Sequence, residues 1–228
     1  MKIALCLSGK NKHGPKAFPL VYKNLLYGKE VDVFMHYWDE DSLVNDDCIK
    51  LYNPIKYASN KPFPQSIVND YLPFCNRDPG VKLYNVYSMF YSMFYANFLK
   101  RQHELENSFR YDVVIRSRFD YALNTEISFE SFDGSKLYAP NDWTPANRPD
   151  YILNDQFGYG GSMVMDLYSS VHTQWDQRVI DQSLFHGESL LGDTLKYGRF
   201  DRSRIEYLDM KCQFVEKGFK HSLIRDYH

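Results

Sequence analysis

The residues best suited to chemistry lie in Tyr111-Asp112-Val113-Val114-Ile115-Arg116-Ser117-Arg118-Phe119-Asp120-Tyr121. Val113, Val114 and Ile115 are a β-branched run, the composition of a strand covered on both faces. The run then breaks into Arg116, Arg118 and Asp120 within five residues. Charge at the end of a core strand needs a partner or a ligand, because burying it unpaired is costly. In an open α/β sheet, ligands collect at the carboxyl ends of strands. Two guanidiniums beside one carboxylate suit an anion, with or without a divalent metal: Arg grips phosphate through a planar fork and Asp offers hard oxygen. An Arg–Asp ion pair capping the strand accounts for the same residues.

Other strand ends carry similar signals. Lys2 to Leu7 reads as a first buried strand, closed by Ser8-Gly9 and the basic turn Lys10-Asn11-Lys12-His13-Gly14. Such a turn can cradle phosphate with cations and backbone amides. It is neither GxGxxG nor a Walker loop, and a plain strand-to-helix turn fits as well. Val31 to Tyr37 reads as a second strand ending in His36-Tyr37-Trp38-Asp39, where aromatic rings beside a histidine could stack a base or a sugar, or form a core edge. Further on, Asn154-Asp155-Gln156-Phe157-Gly158-Tyr159-Gly160-Gly161-Ser162-Met163-Val164-Met165 enters a buried strand through a glycine-rich segment, where a ligand can approach the backbone. Gly187-Glu188 opens a helix ending at Gly198, a place where the helix dipole favours a carboxylate.

The elements that must position these residues follow from periodicity. Helices are expected over 15–27, within 46–57 before a third strand near Ile55, over 84–110, and again over 165–183 and 187–198. Tyr84, Tyr87, Tyr91, Phe94, Tyr95, Phe98 and Leu99 recur at spacings of three and four and mark the longest helix, with Gln102 to Glu106 as its solvated end. Residues 59–82 read as a long surface loop. A short helix is expected at 124–130, a strand at 136–139, a polar loop over 140–154, and closing strands at 204–208 and 214–224. Strands alternating with helices imply an α/β fold with a mostly parallel sheet.

The chain has 228 residues, enough for one sizeable domain. A net charge of -2 removes the simplest case for nucleic-acid binding. No apolar run reaches the ~18 residues of a membrane span. The four cysteines, Cys6, Cys48, Cys75 and Cys212, show no CxxC or zinc spacing, which suits reduced thiols and a cytoplasmic location.

Taken in order, Ile3 to Gly9, Asp32 to Trp38, Tyr91-Ser92-Met93-Phe94, Tyr111 to Asp120, Asn154 to Met165 and Gly187-Glu188 resemble GT-A-type glycosyltransferases of bacterial surface-polysaccharide clusters, phages and large viruses. The resemblance spans nearly the whole chain. It implies a single GT-A-like domain with a Rossmann-like, mostly parallel central sheet. Residues 1–121 would form the half that binds a nucleoside-diphosphate sugar, and 122–228 the half that binds a glycan or lipid-linked acceptor. It also implies roles: Ser8, Gly9, His36, Arg116, Arg118 and Asp120 against the nucleotide sugar, with Asp155, Glu188 and Arg118 catalytic. The family's Asp-x-Asp metal motif is represented only by Asp120, because Arg118 stands where the first acid belongs. Either Asp120 binds Mg²⁺ or Mn²⁺ with help from a residue such as His221, or the arginines replace the metal's charge. A sugar nucleotidyltransferase and a non-catalytic sugar- or nucleotide-binding module are the alternatives.

Overall fold

The computed structural model describes residues 1–77, 79–123, 125–141, 152–208 and the backbone of 221–223. The chain forms strand β1 (Ile3–Gly9), helix α1 (Gly14–Val21), strand β2 (Val31–Trp38), helix α2 (Ser42–Tyr52), strand β3 (Lys56–Asn60) and the long helix α3 (Leu83–Glu106). Strands β4 (Val113–Arg118), β5 (Tyr121–Leu123), β6 (Leu137–Pro140) and β7 (Phe157–Gly160) follow. Helices α4 (Ser162–Tyr168), α5 (Trp175–Ile180) and α6 (Gly187–Tyr197) precede β8 (Ile205–Leu208) and β9 (His221–Leu223).

Seven strands form one sheet in the order β3-β2-β1-β4-β7-β6-β8. β1, β2, β3 and β4 are mutually parallel; β7 runs antiparallel to β4 and β6; β8 is parallel to β6. The result is an α/β domain with a mostly parallel, Rossmann-like sheet. β5 and β9 make a separate two-stranded ladder. β6, β7 and β8 join the sheet of β1 to β4, so the earlier and later parts of the chain share one core.

Strand β1 shows why the fold is covered on both faces. Successive side chains point to opposite sides. Ile3, Leu5 and Leu7 face the layer built with Ala17, Val21 and Cys48 of α1 and α2. Ala4 and Cys6 face the layer built with Phe90, Met93 and Leu99 of α3. The small residues on that side let α3 lie close across the sheet. Among the described residues, no helix is long and apolar enough to cross a membrane.

Several expectations need correction. The inward stripe of α3 is Leu83, Val86, Phe90, Met93, Asn97, Lys100 and Glu104, not the tyrosine series. The tyrosines are half-buried, with Tyr84 donating through its hydroxyl to Phe63 O at 2.9 Å. A tyrosine ring can pack while its hydroxyl stays wet, so it marks a flank as readily as a core face. Glu104 is buried rather than solvated, because Lys100 pairs with it at 3.1 Å. Residues 125–130 are not helical: Ile127 and Phe129 alternate into the core, and Ile127 N donates to Asn24 O at 3.2 Å. The segment 59–82 is partly tied down, with a 3₁₀ turn at Gln65–Val68 and Val68 buried. In the glycine-rich stretch, Gly158 and Gly160 lie inside β7 and Met163 to Met165 are helical, the reverse of the expected loop and strand. Added Cβ atoms at Gly160 and Gly161 would lie 2.8 Å from Lys136 O and 2.3 Å from Gly134 O, so backbone packing accounts for these two glycines. Most of the loop expected over 140–154, and residues 214–220 of the last strand, lie outside the described residues.

Candidate functional site

The strand order reverses at β1: the chain moves outward through β2 and β3, then returns to place β4 on the other side. Ligands in open α/β sheets bind at the carboxyl ends of strands beside such a switch point. A cleft of about 710 Å³ lies there. Ser8 and Gly9 enter it from the end of β1, and Arg116, Arg118 and Asp120 from the end of β4. Asp155 comes from the segment before β7, His186 from the residue before α6, and Gly187 and Glu188 from the first turn of α6. Lys10 and Lys12 line it from the loop after β1, Trp38 from the end of β2, and Tyr84, Ser88 and Met89 from the first turns of α3. Seven of the eight residues singled out for donor binding or catalysis therefore share one cleft; His36 is the exception. His221 pairs through its backbone with Leu123, and its side chain lies outside the described residues.

Arg116 is the most unusual group in the cleft. It is 2% exposed, and none of its three guanidinium nitrogens has a hydrogen-bond partner among the described residues. Burial pulls its pKa down, while the neighbouring Tyr168 and Asp155 oppose the shift. Buried polar groups are normally satisfied, so an orphaned cation facing a cleft points to an anionic ligand. The hydroxyls of Ser8 and Ser88, both buried in the same wall, are likewise unpaired among the described residues.

Arg118 is placed differently. Its Nε and Nη2 donate to Asp120 Oδ1 and Oδ2 at 2.8 and 2.7 Å, a bidentate fork. The ion pair expected as a strand cap thus forms, but it takes Arg118 and spares Arg116. Both oxygens of Asp120 face that guanidinium. Among the described residues, no group of three or more His, Cys, Asp or Glu side chains is gathered to hold a metal. The described donors at Asp120 therefore do not fit a divalent cation, which needs several hard oxygens around it.

Asp155 is held by its neighbour. Asn154 Oδ1 accepts from Gln156 N and Phe157 N at 2.8 and 2.9 Å, an Asx turn that delivers the chain into β7. The Asp155 carboxylate packs on Gly187, where an added Cβ would lie 2.0 Å from Oδ2. Burial pushes the Asp155 carboxyl up, against the opposing fields of Arg116, Arg118 and His186. Glu188 sits in the first turn of α6, with Oε2 2.7 Å from His186 Nδ1. The contact lies outside ring N–H hydrogen-bond geometry, so it pairs charge when the histidine is protonated.

His36 lies beneath the cleft and does not line it. Its ring is fully buried, with Nδ1 2.7 Å from Ser92 Oγ and Nε2 2.9 Å from Asn60 Oδ1. Ser92 Oγ also accepts from Gly9 N at 2.7 Å. The chain Gly9–Ser92–His36–Asn60 fixes the turn after β1, where Gly9 adopts φ +108 with nothing within 4 Å of an added Cβ. Because Gly9 gives its amide to Ser92, the backbone donor expected to cradle phosphate is engaged internally. The side chains of Ser8 and Arg116 remain as donors. Ser88 and Ser92, four apart among aromatics on α3, were the sequence signal for this polar side of the helix. His186 had no signal beyond preceding Gly187-Glu188.

Burial lowers the His36 pKa to about 4, against the raising effect of its bond to Asn60. An unfolded chain protonates this ring near its ordinary value of about 6.5. Stability associated with the neutral ring is therefore complete above pH 6.5 and declines as the pH falls toward 4. The expected loss is on the order of 3 kcal/mol. His172, pushed the same way by burial, adds to the trend. In urea titrations from pH 7 to 4, His36→Gln should flatten the decline; parallel curves for the two proteins would assign it to other groups.

Comparison with known proteins finds no matching family model and no curated relative.

Proposed function

We propose that the protein is a glycosyltransferase that moves a sugar from a nucleoside-diphosphate sugar to a hydroxyl of a glycan or lipid-linked acceptor. The observation that carries this reading is the buried guanidinium of Arg116 at the switch point of the sheet, without a hydrogen-bond partner among the described residues. An anionic leaving group is what such a charge stabilises, and burial of the guanidinium strengthens the interaction relative to bulk water. The cleft volume lies in the range of sites for ligands of this size. The sequence resemblance points to the same chemistry.

Within this reading the residues divide the work. Arg116 faces the diphosphate, with Ser8 and Ser88 as further hydrogen-bond donors. Arg118 is aimed by Asp120. Asp155, buried and pushed toward its neutral form, holds a sugar hydroxyl rather than taking its proton. Glu188 stands at a helix start that favours negative charge and takes the acceptor proton. The acceptor oxygen then forms a bond to the anomeric carbon, and the bond from that carbon to the phosphate oxygen breaks. The electron pair leaves with the nucleoside diphosphate.

The test is thermal-shift measurement across UDP, GDP, CMP and dTDP sugars, followed by product detection with the nucleotide that stabilises. A bound ligand raises the melting temperature by mass action, so one nucleotide should stand out. Glu188→Gln should keep that shift and lose turnover by about 10²–10⁴-fold. A flat panel, or full turnover in Glu188→Gln, would sink the respective assignment. One feature favours a second reading. Arg118 and Asp120 neutralise each other, as they would in a module that binds a nucleotide sugar without transferring it. Binding with no release of sugar to water or acceptor would select that module.

A further inference from the structure

We propose that the cleft holds its diphosphate without a divalent cation, with Arg116 supplying the positive charge and Asp120 serving only to aim Arg118. This rests on the nucleotide-sugar reading above. Three observations carry it.

The first is the state of Asp120. Both of its oxygens accept from Arg118, at 2.8 and 2.7 Å, so a cation bound there would have to displace a bidentate guanidinium. The second is the electrostatic setting of Asp155, the other carboxylate nearby. It lies in the fields of Arg116, Arg118 and His186, and a divalent ion beside it would meet at least two fixed positive charges. The third is Arg116 itself, 2% exposed and unpartnered on all three nitrogens among the described residues. Its planar fork matches two phosphate oxygens, and it needs no desolvation of a hydrated ion to do so. The same charge can neutralise the leaving diphosphate as the anomeric bond lengthens.

Asp120 is therefore a positioning residue. Asp120→Asn releases the fork but removes no ligand of a bound ion.

The test is calorimetric titration of the full chain with UDP, GDP and dTDP, in EDTA and in Mn²⁺. One nucleotide is expected to bind with affinities that agree within about threefold between the two buffers. Asp120→Asn should bind that nucleotide in EDTA within about tenfold of the parent, with no new dependence on Mn²⁺. Binding seen only with Mn²⁺, or a Mn²⁺ enhancement that Asp120→Asn abolishes, overturns the inference and leaves the functional reading standing. Absence of binding by all three nucleotides in both buffers overturns the functional reading, and the inference with it.

Discussion

An Arg116→Met variant is expected to melt at a higher temperature than the parent protein and to lose its hold on nucleoside diphosphates. The two effects share one cause. The guanidinium is buried with no hydrogen-bond partner among the described residues, and burial disfavours its charged form. A buried ion without hydrogen bonds is a burden on the folded state. Replacing buried ion pairs by apolar residues of similar volume is often neutral or stabilising, by up to about 4 kcal/mol, and a cation without hydrogen bonds gives up less when it is removed. Methionine is unbranched and adapts to the space left behind. In a chain of this size each kcal/mol raises the melting temperature by about 2–4 °C. Asp155 keeps Arg118 and His186 as favourable neighbours, so the substitution does not strand its carboxyl. Binding moves the other way. A hydrogen bond to a charged group is worth about 1.5–3 kcal/mol, so losing a two-pronged contact should weaken affinity by 100-fold or more, roughly. Thermal scans of the free protein and calorimetric titration of the ligand read the two effects separately. A lower melting temperature with unchanged affinity would make Arg116 a structural residue.

The second large effect lies away from the cleft. Lys100→Met should destabilise the fold by about 3–5 kcal/mol. Lys100 is fully buried and donates to Glu104 Oε2, Asp166 Oδ1 and Ser162 Oγ at 3.1, 2.8 and 2.8 Å. Glu104 also accepts from Tyr111 N at 2.9 Å and from Ser162 Oγ at 2.6 Å. The cluster therefore ties α3 to the start of α4 and to the residue that leads into β4. Without the ammonium, Glu104 is a buried carboxylate whose nearest remaining cation is Arg110, 4.0 Å away. Asp166 keeps Arg110 at 3.0 Å, so the penalty falls chiefly on Glu104. Urea titration should show the loss, and Lys100→Met with Glu104→Gln should recover part of it. A double variant no more stable than the single one would show that Glu104 tolerates the missing charge.

The sequence was most informative where composition forces burial. The β-branched run Val113 to Ile115 and the apolar Ile3 to Leu7 read directly as central strands, and the charges following them as one end of the sheet. The position of Arg116, Arg118, Asp120, Asp155 and Glu188 in one cleft follows from that logic. What each does was less legible. Arg116 and Arg118 are two apart in a strand and look equivalent in sequence, yet among the described residues one has no hydrogen-bond partner and the other is forked onto Asp120. The pleat turns both to one face; the turn after β4, which sets Asp120 against Arg118, distinguishes them. His36 looked like a ligand contact because it ends a strand; its partners Ser92 and Asn60 lie 56 and 24 residues away, and no local pattern announces them. The aromatic series marked α3 as a helix without fixing its inner side, and Asn97, Lys100 and Glu104 carry no apolar signal that would place them there.

The antiparallel course of β7 has a consequence for insertions and deletions. β7 is zipped to β4 with Phe157 opposite Ser117 and Gly158 opposite Arg116. Asp155 therefore sits two residues upstream of a ladder whose teeth are already engaged with the arginine strand. Side chains alternate along both strands, so a one-residue frame slip between Asn154 and Phe157 would reverse which way the approach to the ladder faces. The core could remain packed while the carboxylate left the cleft. The short link from Asn154 to Phe157 thus behaves as a gauge block, whose length sets which way Asp155 faces.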